Sequence, residues 1–292
     1  MNPAAGGGRS RKLLGPALER LKAGGIEVKV AATRAAGEAT QITREAYARG
    51  VRKFIAVGGD GTSYEIVNGL YPEALRGDRP TLAFLPLGTG NSFLRDFSDR
   101  GVEYAIESLL AGRSRPCDVL RLRHRAGELY FINLLSIGFT ADVATLRARS
   151  FSGWGELGYL TSIFLTLARF NRRPFPVRVE GDGGFDNRRC LFLTFNNSKF
   201  TGGTMMIAPK AEVDNGLVEY VRWGPIGRLG LIRNLPTLYD GTHIEHPLAE
   251  HKGVRRVEFD LDQPVDVMVD GEVLTLHCEE IDVLPGALNV VA

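Results

Sequence analysis

Residues 57–70 read VGGDGTSYEIVNGL. Three glycines, Gly58, Gly59 and Gly61, surround a single acid, Asp60, and the hydroxyl of Thr62 follows at once. The stretch leaves an apolar run (Phe54, Ile55, Ala56, Val57) and enters an amphipathic one. A plain strand-to-helix turn needs one glycine and a capping residue. Backbone stripped of side chains at three positions can instead approach a large anion, with helix N-terminal amides pointing at it. Asp60 would repel that anion unless a divalent cation lay between them. The alternative for Asp60 is to cap a helix beginning near Ser63, which Thr62 or Ser63 could do without it.

Such a loop needs elements to hold it. Leu13–Lys22 has a helical pattern, Glu27–Ala31 a strand-like one, and Glu38–Arg49 helical spacing. Strand Phe54–Val57, helix Tyr64–Leu70, strand Thr81–Pro86 and helix Tyr104–Ala111 follow. This alternation predicts a doubly wound parallel sheet, whose ligands bind beyond the carboxyl ends of the strands. Composition shifts near Arg113. Beyond it, strand-like runs at short spacing (Val119–His124, Glu128–Leu135, Val177–Glu180, Cys190–Phe195, Leu217–Val221, Val254–Leu261, Val265–Val269, Val273–Leu276, Ile281–Leu284) predict an antiparallel, sandwich-like domain. One helical insertion, Gly155–Phe170, interrupts it. The expected fold is therefore α/β plus β: an α/β domain over residues 1–113 and a β-rich domain over 114–292, whose last residues return to the first. The opening MNPAAGGGRS places a glycine-rich loop where no strand precedes it. A strand missing there would leave two neighbours unpaired, so a first strand is expected upstream.

Three glycine-rich loops now fall at strand-to-helix junctions: NPAAGGG (2–8), GGDGT (58–62) and PLGTGN (86–91). None matches GxxxxGK[ST] or GxGxxG with a distal acid. The pattern points to a phosphate cradle assembled from separate loops.

The set NPAAG, GGDGTSYEIVNGL, PLGTGNSF, FINLLSIGF and VDGE runs in order through the chain. It resembles the diacylglycerol kinase catalytic family, and within it the bacterial lipid kinases related to diacylglycerol kinase and sphingosine kinase. The resemblance implies ATP-dependent phosphoryl transfer to a lipid hydroxyl in a cleft between the two domains, with ATP and Mg2+ as cofactors. It places nucleotide contacts on Asn2, Pro3, Ala4, Ala5 and Gly6, on Thr33, on Gly58, Gly59, Gly61, Thr62 and Glu65, and on Gly88, Thr89 and Asn91. It places the catalytic base in VDGE, at Asp270 with Glu272, alongside Asp60. It also implies a structural magnesium held by the Glu212 carbonyl, Asn215 and the Leu217 carbonyl. Phosphoryl transfer needs charge neutralised on the phosphates and an acceptor for the hydroxyl proton. In extended geometry Asp270 and Glu272 would share one face; in a tight DG hairpin turn they would not. Glu272 is favoured as the base, with Asp270 in support. Two positions depart from the family pattern: Ser92 stands where an aspartate is usual, and Asn215 replaces the usual aspartate of the metal loop.

Composition narrows the partners. The chain of 292 residues carries a net charge of +2, which argues against a dedicated nucleic-acid binder. Three dispersed cysteines, without CxxC, predict neither disulfide framework nor zinc site and fit a reducing, cytoplasmic setting. No apolar run approaches the ~20 residues needed to span a bilayer. A lipid acceptor nevertheless requires peripheral contact with the inner face of the membrane. Phe151, Trp154, Tyr159, Phe164 and Phe170, followed by Arg172 and Arg173, suit that contact, although a helix covering a sheet would look the same. An exposed edge strand could pair two copies across a two-fold axis. The alternatives are a soluble-substrate kinase of the NAD kinase type and a non-catalytic nucleotide- or lipid-binding homologue.

Overall fold

The computed structural model describes residues 1, 9–88, 91–150, 165–166 and 172–292. The segments Asn2–Gly6 and 151–164, together with Thr89 and Phe170, therefore lie outside the described residues.

In the first half, α1 (Arg9–Ala23) and α2 (Glu38–Ala48) precede β1 (Lys53–Gly58), α3 (Asp60–Leu70), β2 (Thr81–Pro86) and α4 (Gly101–Ala111). β1 and β2 pair in parallel without a break, from Lys53 opposite Thr81 to Gly58 opposite Pro86. Side chains alternate across a strand, so the two strands feed two cores. Ala56, Leu82 and Phe84 join Ile66, Val67 and Leu70 of α3. Ile55, Val57 and Leu85 join Leu14 and Leu21 of α1 and Ile106 of α4. Helices thus cover both faces of the sheet, as the alternating pattern predicts.

Two expectations fail here. Glu27–Ala31 is not a strand. The Met1 ammonium donates to the Ala31 carbonyl (2.8 Å), and the Thr33 amide donates to the Met1 carbonyl (2.9 Å). That is one rung of a parallel ladder, and a strand needs a neighbour along its length. α3 also begins at Asp60 rather than near Tyr64. GGDGT is therefore the start of the helix and not a loop ahead of it.

The second half continues with β3 (Arg115–His124), β4 (Gly127–Phe131), β5 (Leu134–Gly138) and α5 (Phe139–Ser150). Strands β6 (Arg173–Pro174), β7 (Val177–Val179), β8 (Arg189–Cys190), β9 (Phe192–Asn196), β10 (Phe200–Thr201), β11 (Met205–Met206) and β12 (Val218–Trp223) come next. The chain closes with β13 (Ala249–Val254), β14 (Arg256–Phe259), β15 (Val265–Val269), β16 (Glu272–Leu276) and the long β17 (Cys278–Val291). One sheet of six runs β13-β12-β9-β5-β15-β16. A second, of seven, runs β1-β2-β17-β14-β7, with β3 added on β17 and β4 on β3, and β10-β11 and β6-β8 form two small ribbons. β17 is antiparallel to β3 and β14 and, at Asn289–Val291, parallel to β2. One sheet therefore extends across the compositional break at 113.

The sandwich core lies between the sheets. Leu120, Leu122, Phe131, Val257 and Ile281 meet Leu135, Ile137, Phe195, Tyr220 and Val267 there. The runs 128–135 and 254–261, each read as one strand, are pairs that change sheet, at 132–133 and at Arg255. Each crossing takes only one or two residues, Ile132–Asn133 and Arg255, with strand-like residues on both sides, so no turn signal separates the paired strands in the sequence. On the outer face, Glu128 (β4), Arg121 and Arg123 (β3), Glu280 and Asp282 (β17), Arg256 and Glu258 (β14) and Arg178 (β7) form a continuous ion-pair ladder.

Candidate active site

The carboxyl end of β1 turns directly into α3. Gly59 is the N-cap, in extended conformation, and Asp60 is the first helical residue. The first amides of a helix have no intrahelical acceptor and carry partial positive charge. Each nearby glycine has its own reason. A Cβ at Gly58 would stand 2.2 Å from the buried Thr62 hydroxyl. A Cβ at Gly88 would stand 2.7 Å from the Gly59 nitrogen, because the PLG turn lies on the GGDG backbone and the Gly88 amide donates to the Gly58 carbonyl (3.0 Å). A Cβ at Gly61 would stand 2.4 Å from Glu272 Oε1. The helix start is therefore bare on the side where Glu272 arrives.

The acids around it divide by what they bond. Asp270 has a left-handed backbone (φ 45°), followed by Gly271 at φ 89°. Its buried carboxylate accepts the amides of Ile132 (3.0 Å), Asn133 (3.1 Å) and Leu134 (2.9 Å). Asp270 thus clamps the crossing from β4 to β5, with both carboxylate oxygens engaged by main-chain amides. Burial and the neighbouring Asp60 carboxylate push it up to about 7, against the pull of those amides. Asp60 does not cap its own helix. Its carboxylate accepts the Ser92 amide (3.0 Å), the Phe93 amide (3.5 Å) and the Ser92 hydroxyl, and burial raises its pKa. Ser92 Oγ in turn accepts the Gly203 amide (3.0 Å), in the turn between β10 and β11. Where an aspartate is usual, Ser92 here ties Asp60 to the β-rich half. Glu272 differs from both. It is exposed, it bonds no protein group among the described residues, and desolvation together with the charge of Glu65 raises its pKa.

The rest of the ExxNG stretch is structural. Glu65 accepts the amides of Gly37 and Ala39 (2.9 Å each), fixing the start of α2. Asn68, which the sequence reading passes over, pairs with Tyr130 in both directions: its Oδ1 accepts the Tyr130 amide (3.0 Å) and its Nδ2 donates to the Tyr130 carbonyl (2.8 Å). Gly69 admits α2, whose Thr40 carbonyl would lie 2.4 Å from a Cβ there. A second cluster also went unread. Asn197 donates to the carbonyls of Asp118 (3.0 Å) and Ile132 (2.9 Å), and Ser198 bonds Asn133. The polar triplet at 196–198, set in an apolar strand run, was its only sequence signal.

The structure thus brings Gly58, Gly59, Asp60, Gly61, Thr62, Gly88 and Glu272 together. Asn91 closes the second turn by donating to the Gly88 carbonyl (3.0 Å). Thr33 instead donates to the Met1 carbonyl (3.3 Å).

In the loop expected to hold magnesium, the side chains already have partners. Asn215 Oδ1 already accepts the Leu217 amide (2.9 Å), and Asp214 pairs with Arg115 (2.7 Å). Buried Asp118 organises the loop by accepting the Gly216 and Gly286 amides (2.6 Å each), while its own amide donates to the Val213 carbonyl (2.6 Å). Glu212 is exposed. Among the described residues no three carboxylate, imidazole or thiol side chains converge as a metal site.

The diacylglycerol kinase catalytic domain profile matches residues 1–122, and that of the YegS C-terminal NAD kinase beta sandwich-like domain matches residues 133–292. A Bacillus subtilis diacylglycerol kinase is 30% identical, covering 93% of this chain and 88% of its own. A Mycobacterium tuberculosis diacylglycerol kinase is 29% identical over 99% and 92%. A crystal structure from Bacillus anthracis superposes with a TM-score of 0.76 at 24% identity, over 99% of this chain and 94% of that one, and shows the same fold.

Proposed function

The chain belongs to the bacterial diacylglycerol kinase and YegS-like lipid kinase family, and from that premise we propose that it transfers the γ-phosphoryl group of MgATP to a lipid hydroxyl at the N-terminus of α3. The observation that carries the reading is the Glu272 carboxylate set against Gly61 at that terminus, unbonded to protein among the described residues. The bare backbone of Gly58–Gly61 and the first amides of α3 receive the phosphates, whose charge they and the nucleotide's magnesium offset. The acceptor hydroxyl approaches Glu272, which takes its proton as the new O–P bond forms and ADP leaves. A carboxyl raised toward neutrality is a stronger base for that step than an ordinary one. Asp270 and Asp60 hold the frame: one fixes the strand crossing behind Glu272, the other fixes the second glycine turn.

The relatives named as diacylglycerol kinases make diacylglycerol the first acceptor to try, with sphingoid bases next. The test is transfer of labelled γ-phosphate to diacylglycerol, monoacylglycerol, a sphingoid base, a glycolipid and NAD. Label should enter a lipid and be lost in Glu272→Gln. Transfer to NAD alone overturns the lipid reading, and ATP binding without transfer overturns the catalytic one.

A further inference from the structure

We infer that the helix Arg228–Asn234, with the segment after it, docks this protein on an anionic phospholipid bilayer. The stretch is apolar on two sides. Inward, Leu231 and Leu238 join Trp223 and Ile226 in a buried cluster. Outward, Leu229 is 84% exposed, Ile232 52%, Tyr239 48% and Leu248 43%. A helix whose outer side meets only water carries polar residues there. Close packing holds this one in place: a Cβ at Gly230 would stand 2.8 Å from Ile226, and one at Gly224 would stand 3.1 Å from the Leu248 Cβ.

Charge identifies the occupant. From Gly224 to Tyr239 there is no acidic residue, and Arg228 and Arg233 flank the outward Leu229 and Ile232. Arg172 brings a third guanidinium, donating to the Pro225 carbonyl (3.3 Å). The acids of this region come later, at Asp240 and Glu245, and Asp240 is engaged by the Thr242 amide (2.9 Å) and hydroxyl (2.6 Å). Exposed aliphatic side chains between arginines, with a tyrosine nearby, match an interface of acyl chains beneath phosphate headgroups.

Position supports the same partner. The helical turn Thr237–Asp240 packs on β11, and Gly241 sits against Met206 and Pro209. The β10–β11 turn presents the Gly203 amide to Ser92, which bonds Asp60. The outward patch is therefore joined through one short hairpin to the proposed transfer site. This inference rests on the lipid-acceptor reading for its occasion, yet its test needs no turnover.

The test is flotation with phosphatidylcholine vesicles, with and without phosphatidylglycerol, comparing the full chain with the Leu229→Ser/Ile232→Ser variant. The wild-type chain should float with the anionic vesicles. The variant should bind about tenfold or more weakly, since burying two large aliphatic side chains drives the partition. Its circular dichroism and its transfer to a short-chain, water-soluble lipid acceptor should stay unchanged. A wild-type chain that fails to float, or a variant that floats equally well, overturns the proposal. So does a variant that instead changes the mass in solution by light scattering, because the patch would then face a second copy.

Discussion

Glu272 rests on Gly61: its Oε1 lies 2.4 Å from the point a Cβ at position 61 would occupy. The contact joins β16 of the β-rich half to the first turn of α3. It explains a glycine inside a helix, where glycine costs about 1 kcal/mol relative to alanine. Gly61→Ala should fold, because a side-chain tip can move, but should displace the proposed base and lower kcat. Gly88→Ala meets backbone that cannot yield, the Gly59 nitrogen at 2.7 Å, and should lower stability as well. Thermal unfolding beside kinetics on both variants separates the two cases, and equal unfolding midpoints would count against this reading of the turn.

Glu272→Gln should leave the unfolding midpoint near wild type and cut kcat by about 10²–10⁴-fold, the usual contribution of general base catalysis. The Glu272 pKa is raised by desolvation and Glu65, and a base acts deprotonated. Wild-type kcat/KM should therefore climb with pH through that raised value, and the residual activity of Glu272→Gln should lose this limb. A profile identical in both proteins would assign the proton to another group.

Asp270→Asn should behave in the opposite way. The asparagine keeps one acceptor oxygen but turns an NH2 toward an amide at the β4–β5 crossing, which Asp270 now satisfies three times over. Donor facing donor in a buried site costs about 1–3 kcal/mol. Urea unfolding should show that loss, and a variant as stable as wild type would return Asp270 to the list of candidate bases.

Asp96 gives a stability prediction with a definite sign. Its carboxylate accepts the Lys199 amide (3.0 and 3.1 Å), and burial raises its pKa from 3.8 to about 7. An acid raised on folding binds more proton in the native state between those values, so its contribution to stability falls as pH rises through that window. Asp96→Asn keeps an acceptor without the charge. It should flatten the pH dependence of unfolding free energy between pH 4 and 7 by on the order of 1–2 kcal/mol after solvent screening. Parallel slopes for the two proteins would refute this.

The loop over residues 212–217 should be indifferent to chelation. EDTA should leave the wild-type unfolding midpoint unchanged without nucleotide, whereas Asp118→Asn should cost about 1–3 kcal/mol by unpairing one of two half-buried glycine amides. Arg115→Ala should cost less, since the Arg115–Asp214 pair is partly exposed and such pairs contribute about 0–1 kcal/mol. A clear rise in midpoint on adding magnesium alone would restore a cation to the loop.

Much of this was written in local pattern. Gly58, Gly59 and Gly61 mark the strand-to-helix junction, though not the first helical residue, because close backbone approach leaves a compositional trace, and the apolar runs of β1 and β2 predict the parallel pair. What the sequence hid was pairing at a distance. Nothing in the sequence around Glu65 announces the Gly37 and Ala39 amides that it accepts. Asp270 and Glu272 read alike, two acids around one glycine, and only the fold shows that one is spent on amides while the other is free. Glu27–Ala31 has strand residues, yet among the described residues only Met1 bonds along it, and pairing rather than propensity decides a strand. Asn68 had no signal beyond its type, because an amide that bonds a neighbouring strand edge looks like any polar helix residue.

β17 has a practical consequence. Its first residues line the sandwich and its last three lie beside β2, so a single ribbon rivets the α/β half to the β-rich half. A rotation of one half against the other would then have to bend this ribbon or break its ladder. A bulky fusion at the carboxyl end would emerge next to Val291, which pairs with Ala83 of β2, and so would press first on the parallel sheet.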